Sequence, residues 1–428
     1  MGIIKDAKDG TLRKEIGQIS KDENLSIETV MDEIANGRMV VPYNKNNPDL
    51  KIKGMGHLAY RKTFIAIGSN PSFENNDLEL EKAKTAVKYG VDSISDLSSG
   101  PNLVELRRNL LKEINIPVAS TPIYETAAIA RKRDGACAYM KRKDFINAFE
   151  NTLMDGSSMV RIEPGITNEL LNDFKDNDRI MGLTHRSSLL MAGYIMENDA
   201  ENPYYENFDK ILKIAAEYDI VLGLTHSFGA ISIIDSADRF YNDELLILTD
   251  LIERARDAEV QVSLALQSNF SVKKLINTLN ITRYLLQVPI SSSGTQVTNI
   301  APGYDNITSA IGEAISGDLG ADLLGCSAAS EALFTPTTED VREATITARL
   351  AAHIADLNRN NPDAWKLEKK MIRARSNDRL EDQINAAIDP EKADLVAKIA
   401  PATNPLECGE CNDGCPAKEI MTRYRHPI

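Results

Sequence analysis

Long apolar runs are absent from the sequence. No stretch of its 428 residues approaches the roughly 18 apolar residues that a membrane-spanning helix needs. The opening segment, MGIIKDAKDGTLRKEIGQ, also lacks the apolar core of a secretory signal. We therefore expect a cytoplasmic protein with no membrane partner.

Strongly basic stretches are also missing. The net charge is −14 at pH 7, and the densest basic run, between Arg131 and Lys143, is short. A chain of this charge repels a phosphate backbone unless a basic surface overcomes its field. We therefore expect no nucleic-acid partner, and a small anionic substrate would need a focused local pocket.

No GxGxxG motif follows a predicted strand, which argues against a dinucleotide-binding sheet. Short β-branched runs instead alternate with amphipathic helices, a pattern that is typical of a parallel sheet. Eight or nine repeats in a chain of this length favour closure into a (β/α)₈ TIM barrel. The predicted strands are 64–68, 93–97, 118–121, 159–162, 180–183, 220–224, 260–266, 285–290 and 323–327.

The order of these patterns divides the chain into four segments. Residues 1–62 are polar and mixed, and we expect an N-terminal accessory domain in which Ser26 caps a helix that Gly37 ends. The barrel is expected at 63–337. A helical extension is expected at 338–400, starting with a long amphipathic helix capped by Thr338. Residues 401–428 are expected to be an irregular tail that carries cysteines.

Three of the five cysteines, Cys408, Cys411 and Cys415, lie within eight residues of this tail. Because a cytosolic chain seldom keeps disulfides, the cluster indicates a metal centre. Three thiolates leave one iron of a [4Fe–4S] cluster open, and an open iron can chelate S-adenosylmethionine. Reductive cleavage of that cofactor yields a deoxyadenosyl radical. The tail therefore favours a radical enzyme.

Two other centres are compatible with the same cysteine spacing. A structural zinc ion would take His426 as its fourth ligand. A ferredoxin-like cluster would take Cys137 or Cys326. Analysis of iron, sulfide and zinc in the purified protein distinguishes these centres from a radical cluster.

Several segments resemble the phosphomethylpyrimidine synthase family, which makes the pyrimidine of thiamine. The similarity runs from about residue 26 to the cysteine tail, and the segment NIAPGYDNITSAIGEAISG (299–317) in a chain that ends with clustered cysteines is hard to find by chance. The other matching segments are EIANGRMVVPYNKNNPDL (33–50), SISDLSSGPNLVELRR (93–108), PIYET (122–126), EDVREATITARLAAHIADL (339–357) and EDQINAAIDPEKA (381–393).

The resemblance implies a barrel with an N-terminal accessory domain that assembles as a dimer. In the family, the cluster domain is swapped so that each cluster lies over the partner's barrel. The substrate is aminoimidazole ribotide, and S-adenosylmethionine supplies the radical. A related group converts the same substrate into 5-hydroxybenzimidazole, the lower-ligand precursor of cobalamin, under anaerobic conditions.

The expected pocket departs from the family pattern. Asn269 and Ala332 occupy the positions of two metal-binding histidines. Glu163 occupies another histidine position and Ser291 a tyrosine position, and the third cysteine follows three residues instead of four. Because asparagine is a poor substitute for imidazole as a metal ligand, we expect the family's auxiliary metal site to be absent. We expect Asn269 and Ser291 to contact substrate instead.

Arg186 is the expected ligand for the substrate phosphate. The stretch from His185 to Ser188 follows a predicted strand and matches the family's Ser-Arg-Gly-Gly stretch. The guanidinium offers a forked donor, and Ser187 and Ser188 add hydroxyl and backbone donors. We therefore assign all four residues to substrate binding; the alternative is that Arg186 pairs with a carboxylate at the barrel rim.

The other expected site residues lie at strand ends. Glu163 and His226 are candidates for an acid–base pair or for metal ligands that replace those of the family. Asp96 and Tyr124 lie in well-matched segments and are expected to contact substrate.

Together these features predict a radical S-adenosylmethionine lyase that converts aminoimidazole ribotide to 5-hydroxybenzimidazole. The nearest alternative is the phosphomethylpyrimidine synthase reaction. A third hypothesis is a non-catalytic subunit that partners an active homologue. We expect a homodimer, or a heterodimer with a homologous subunit.

Overall fold

The computed structural model describes residues 2–377, 379–399 and 416–424. The described residues form two compact units that divide between Ala355 and Asp356. The first unit contains the barrel and the second is helical. The four-segment division inferred from the sequence stays a prediction.

Three helices and a small antiparallel sheet begin the first unit. Ser26 caps the third helix as expected, because its hydroxyl accepts a hydrogen bond from the backbone N–H of Thr29 at 3.1 Å. Gly37 follows that helix with φ +68°, a conformation that glycine adopts without strain. The elements are α1 Ile3–Lys8, α2 Lys14–Asp22, α3 Ile27–Ala35, β1 Met39–Val40 and β2 Met55–Gly56.

Eight parallel strands then close into a barrel, which confirms the predicted TIM-barrel fold. The last strand pairs with the first, Leu323 lying opposite Lys62 and Gly325 opposite Phe64, so the sheet has no free edge. The strands are β3 Lys62–Ile67, β4 Ser93–Asp96, β5 Val118–Ser120, β6 Met159–Ile162, β7 Val221–Thr225, β8 Gln261–Leu266, β9 Ile290–Ser293 and β10 Leu323–Gly325.

Helices connect the strands. A 3₁₀ turn, Cys137–Tyr139, lies between two of these helices. A large apolar core lies between the barrel strands and this outer layer of helices. The helices are α4 Asn76–Lys88, α5 Leu103–Glu113, α6 Ile123–Asp134, α7 Arg142–Met154, α8 Asn168–Phe174, α9 Arg186–Asn198, α10 Pro203–Glu206, α11 Phe208–Tyr218, α12 Arg239–Asp257, α13 Val272–Leu286, α14 Asp305–Asp318 and α15 Thr338–Asn358.

The small N-terminal sheet plugs the amino-terminal end of the barrel. Val40 of β1 and Met55 of β2 pack in one apolar cluster with residues at the starts of the barrel strands, including Met159 and Val221. The side chain of Gln261 at the start of β8 also exchanges two hydrogen bonds with the backbone of the residue after β1. The interior of the barrel is therefore accessible, among the described residues, from its carboxyl-terminal end.

Two predicted strands are wrong, and one predicted cap shifts by a residue. Residues 180–183 form no strand, because the backbone N–H groups of Ile180 and Met181 donate to the carboxylate of Asp235. Most of 285–290 belongs to the end of α13 or to the turn before β9. Thr337, rather than Thr338, caps α15 by accepting the backbone N–H of Asp340 at 3.1 Å.

The second unit contains α16 Pro362–Ser376, α17 Leu380–Ala386, α18 Pro390–Ile399 and α19 Pro416–Tyr424. The last of these helices lies within the tail that the sequence predicts to be irregular, so that prediction is wrong for 416–424. Asn361 caps α16 with its side-chain oxygen, which accepts the backbone N–H groups of Asp363 and Ala364. Within the described part of the chain, no helix combines the length and apolar character that crossing a membrane requires.

Asp322 joins three elements at the amino-terminal end of the barrel. Its carboxylate pairs with the buried Arg61 just before β3 and accepts the backbone N–H of Ile290 at 2.9 Å. We expect Asp322→Ala to lower the free energy of unfolding by about 3–5 kcal/mol, because it breaks a buried ion pair by removing the carboxylate. Urea unfolding measures this loss. The control variant, Asp209→Ala, removes an exposed ion pair with Arg254 and should lower the free energy of unfolding by less than about 1 kcal/mol. Equal losses for the two variants would contradict a stabilising role for Asp322.

Candidate active site

A cavity of about 300 Å³ opens at the carboxyl-terminal ends of the barrel strands. Its wall combines inward-facing strand residues with the first turns of α6 and α9 and the loops that follow β8 and β9. An adjoining cavity of about 390 Å³ shares Arg186, Gly294 and Ser327 with it. The carboxyl-terminal end is where TIM barrels carry their active sites.

The end of β6 sends two ionisable side chains into this cavity, because residues two apart on a strand share a face. Arg161 is 4% exposed, and Glu163, directly after the strand, is fully buried. The Arg161 guanidinium donates to the hydroxyl of Ser95 at 3.0 Å and to that of Ser291 at 3.5 Å. It also lies over the ring of Phe64. Arg161 therefore lies at the floor of the cavity, with Glu163 nearer the mouth.

Glu163 is held in an environment that disfavours its charge. Neither carboxyl oxygen has a hydrogen-bond partner among the described residues, although the Ser187 hydroxyl lies close by. Burial raises the pKa of Glu163 to about 8, and the nearby Ser187 and Arg161 only partly oppose this shift. Near neutral pH the side chain can therefore either donate or accept a proton.

Tyr124 lies in the first turn of α6, directly after β5. Its side chain is buried and lines the cavity. Burial raises the pKa of the phenol to about 12, and the cation of Arg186 only partly offsets this. The hydroxyl therefore stays protonated at neutral pH and is available as a hydrogen-bond donor.

The rim of the cavity is formed by the start of α9. The helix begins at Arg186, and its N-cap residue His185 provides no side-chain cap. The His185 side chain does not cap the helix, because its Nε2 is hydrogen-bonded to the carbonyl of Gln267 at 2.6 Å. Burial lowers the pKa of His185 to about 4, so the ring is neutral. The first two residues of the helix, the exposed Arg186 and the buried Ser187, thus line the cavity together.

Asn269 lines the cavity and also fastens two loops. Its amide nitrogen donates to the carbonyl of Ile231 at 2.8 Å, and its side-chain oxygen accepts the backbone N–H of Gln296 at 2.9 Å. The side chain is only 7% exposed. Asn269 therefore fixes the shape of the cavity wall at a position where we expect, from the sequence, a contact with substrate.

His226 does not line the cavity. It is fully buried between β7 and α12, where its Nε2 is hydrogen-bonded to the carbonyl of Tyr241 at 2.9 Å and its Nδ1 lies 3.4 Å from a carboxyl oxygen of Glu244. Burial lowers the pKa of His226 to about 3, so its ring is neutral. The contacts of His226 are those of a side chain packed inside the protein. Its acid–base role stays a prediction.

Three further expected residues also lie behind the cavity wall. Asp96 accepts the backbone N–H of Ser98 at 3.0 Å, and burial raises the pKa of its carboxyl. Ser188 is fully buried in the first turn of α9. Ser291 lies beneath the cavity, where it contacts Arg161. The structure thus brings together six of the expected substrate or catalytic residues: Tyr124, Glu163, His185, Arg186, Ser187 and Asn269.

Arg161 is one of the cavity residues that sequence reasoning missed. Its signal was present, because a charged residue stands between the apolar Val160 and Ile162 in a strand that reads as buried. A charge at such a position points either into the barrel or into the helical layer, and only the former is compatible with the Glu163 side chain on the same face.

The expected cluster ligands Cys408, Cys411 and Cys415 lie outside the described residues, as does His426. Cys326 is buried at the end of β10 and Cys137 is half-buried, and neither forms a disulfide within the described ranges. No group of three or more metal-ligating side chains comes together among the residues that the structure describes. Three thiolates in eight residues fit an iron–sulfur cluster, so the tail cysteines remain the candidate ligands.

Comparison with protein families matches residues 2–422 to the radical SAM ThiC family. The chain is 35% identical to phosphomethylpyrimidine synthase 2 of Methanothermobacter thermautotrophicus over 416 residues, which is 97% of this chain and 98% of that protein. It is also 35% identical to phosphomethylpyrimidine synthase of Methanocaldococcus jannaschii, over 97% of each chain.

A relative with a different name matches over a similar length. The 5-hydroxybenzimidazole synthase BzaB of Moorella thermoacetica is 34% identical over 425 residues, which is 99% of each chain. Two activities are therefore represented among proteins that match this chain almost from end to end.

The raised pKa of Glu163 makes the free energy of unfolding depend measurably on pH. A carboxyl whose pKa is raised from about 4.5 to about 8 by folding stabilises the protein fully below pH 4.5 and loses that stabilisation as the pH rises through 8. We therefore expect Glu163→Gln, which cannot ionise, to gain stability relative to the wild type by roughly 2–4 kcal/mol between pH 5 and pH 8.5. Urea unfolding at a series of pH values under anaerobic conditions measures the difference. Parallel stability curves would contradict a raised pKa.

Proposed function

Because the chain belongs to the radical SAM ThiC family, we propose that it is a radical S-adenosylmethionine lyase that rearranges aminoimidazole ribotide in its barrel. The family match over residues 2–422 carries this proposal. The first candidate product is the phosphorylated pyrimidine of thiamine, because relatives at 35% identity are named phosphomethylpyrimidine synthase.

Formation of 5-hydroxybenzimidazole, the product expected from the sequence, is the second candidate. The relative named for that reaction matches 99% of this chain. Asn269 stands at a position where the family resemblance implies a metal-binding histidine. Its side-chain nitrogen and its side-chain oxygen each form a hydrogen bond to the backbone of a neighbouring loop. A pocket altered in this way favours a reaction other than that of the thiamine enzymes.

The rim of the cavity is suited to the phosphate of the substrate. α9 is 13 residues long, and its first N–H groups are free of a side-chain cap. A helix start of this kind is a ready anion site. Glu331 lines the same cavity and attracts Arg186, but no described carboxylate lies within 4.0 Å of the Arg186 guanidinium, which can bind a phosphate in the forked geometry that arginine favours.

Glu163 and Tyr124 are the groups placed to handle protons at the substrate. The Glu163 carboxyl holds a proton at pH 7 and releases it slightly above, because its pKa is about 8. Tyr124 keeps its proton and donates a hydrogen bond. We assign Glu163 the general acid–base role and Tyr124 the orientation of the ring.

The cofactors of this proposal are a [4Fe–4S] cluster and S-adenosylmethionine. Cys408, Cys411 and Cys415 would hold the cluster. Together the two groups supply a deoxyadenosyl radical when bound. The barrel's own residues bind the substrate, orient it and exclude water from it.

Assembly and location are further parts of the proposal. We expect a homodimer, or a heterodimer with a homologous subunit, in the cytoplasm. Size-exclusion chromatography with light scattering, on the chain alone and mixed with a candidate homologue, tests the assembly.

Anaerobic reconstitution of the cluster, followed by incubation with aminoimidazole ribotide and S-adenosylmethionine, tests the function. We expect cleavage of S-adenosylmethionine and one of the two products, which differ in mass. The Cys411→Ser variant is the matched control and should yield neither. Cleavage without product would contradict the substrate assignment. No cleavage by a fully loaded protein would contradict the enzyme and favour a subunit that supports an active homologue.

Arg186→Met tests the phosphate site separately. We expect KM for aminoimidazole ribotide to rise by about tenfold to a hundredfold, because a charge-assisted hydrogen bond is worth roughly 1.5–3 kcal/mol. The control is Arg254→Met, which removes an arginine from an exposed pair on the outer surface of α12. An unchanged KM in Arg186→Met would show that the phosphate lies elsewhere.

A further inference from the structure

Two buried polar side chains in the cavity lack hydrogen-bond partners among the residues that the structure describes. They are the hydroxyl of Thr225 at the end of β7 and both carboxyl oxygens of Glu163 after β6. Thr225 is 1% exposed, Glu163 is fully buried, and both line the cavity. Because a buried polar group without a partner costs free energy, a ligand in the cavity is a natural source of these hydrogen bonds.

The pairing of β6 with β7 places these two side chains next to each other. Ile162 lies opposite Leu224 in the register of the two strands, so the next residues, Glu163 and Thr225, follow side by side. Neighbouring strands are about 4.8 Å apart, and residues at matching positions point to the same face. One small group in the cavity can therefore contact both side chains.

The protein around Thr225 leaves its hydroxyl to the cavity. Gly223, two residues earlier on the same face of β7, lies against Arg161, since a methyl group there would be 3.1 Å from the arginine Cγ. The Arg161 cation attracts the Glu163 carboxyl. On the other side, β8 places Ala265 opposite Thr225, and its methyl group forms no hydrogen bond.

The pair lies beside the proposed phosphate site. Ser187 directly follows Arg186 at the start of α9, and its hydroxyl lies close to the Glu163 carboxyl and to the Tyr124 hydroxyl. When a phosphate binds Arg186, the sugar attached to that phosphate is the part of the ligand nearest to Glu163. A ribose ring carries two neighbouring hydroxyls there, each of which can donate and accept a hydrogen bond.

The two side chains match such a pair of hydroxyls in chemistry. A threonine hydroxyl both donates and accepts, and a carboxyl that holds its proton does the same. With a pKa of about 8, Glu163 holds that proton at pH 7. A site built in this way rejects a ligand without the hydroxyls, because its own buried groups are then left unpaired.

We propose that Thr225 is a specificity-determining residue: its hydroxyl and the Glu163 carboxyl bind the two ribose hydroxyls of the substrate, while Arg186 holds the phosphate. This rests on the proposed function, because it needs a phosphorylated riboside in the cavity. The ligand class is a ribotide with free 2′ and 3′ hydroxyls. Glu163 keeps its acid–base role and exercises it at the sugar.

Calorimetric titration of the full-length protein with two matched probes tests this inference. The probes are aminoimidazole ribotide and its 2′,3′-dideoxy analogue. We expect the wild type to bind the ribotide at least about tenfold more tightly. Thr225→Val, which keeps the shape and loses the hydroxyl, should weaken the ribotide by about threefold to tenfold without weakening the analogue. Thr225→Ser keeps a hydroxyl and should retain most of the preference.

Thr152→Val is the matched control. Thr152 is a fully buried threonine of α7 whose hydroxyl donates to the carbonyl of Ala148 at 2.8 Å, away from the cavity. This variant should keep both affinities. If Thr225→Val does not fold, Thr225→Ala takes its place, with the same expected loss of preference.

Equal binding of the two probes by the wild type would overturn the proposal, and so would a preference that Thr225→Val leaves intact. Conversion of the ribotide to product, together with equal affinities for the probes, would overturn this inference and leave the proposed function standing. Binding of neither probe by the wild type would overturn both.

Discussion

The alternation of side chains along β6 is the constraint on which the site depends. Because Arg161 lies in β6 of the closed barrel and Glu163 follows directly after that strand, two residues further on, both side chains point to the inside of the barrel. Burial then acts on both: it lowers the pKa of Arg161 to about 10 and raises that of Glu163 to about 8. Gly223 lies beside Arg161, and the apolar cluster at the amino-terminal end closes the barrel beneath it.

The loops around the mouth of the barrel are held by one recurring type of hydrogen bond. In three strand–loop–helix repeats, the helix sends a buried carboxylate back to the backbone of the loop before it: Glu79 of α4, Glu244 of α12 and Glu313 of α14. Burial raises the pKa of Glu244 and of Glu313 to about 8, while the N–H groups they accept partly oppose this. Such contacts fix the cavity wall without using the residues that line it. The backbone partners are Gly68, Ser227, Phe228 and Thr295.

Sequence patterns predicted the barrel because β-branched runs and helices alternate with few interruptions. They failed at 180–183, where a side chain outside the segment, Asp235, takes the N–H groups that a strand would pair. They also missed α9, whose start forms the rim of the site. At strand ends the sequence identifies polar residues but does not show which way they face: Thr225 enters the cavity and the adjacent His226 turns to α12. Arg161 was missed for the same reason, because only closure of the barrel places it inside.

The desolvated character of the site depends most directly on the protonation state of one buried carboxyl at the mouth of the barrel, that of Glu163. Infrared difference spectra recorded across a pH titration, for the wild type minus Glu163→Gln, isolate that group from the other buried glutamates. We predict that the carboxylic-acid carbonyl band assigned to Glu163 disappears with a midpoint near pH 8. A midpoint near the ordinary glutamate value of 4.5 would mean that Glu163 is solvated, and the desolvated site described above would not exist.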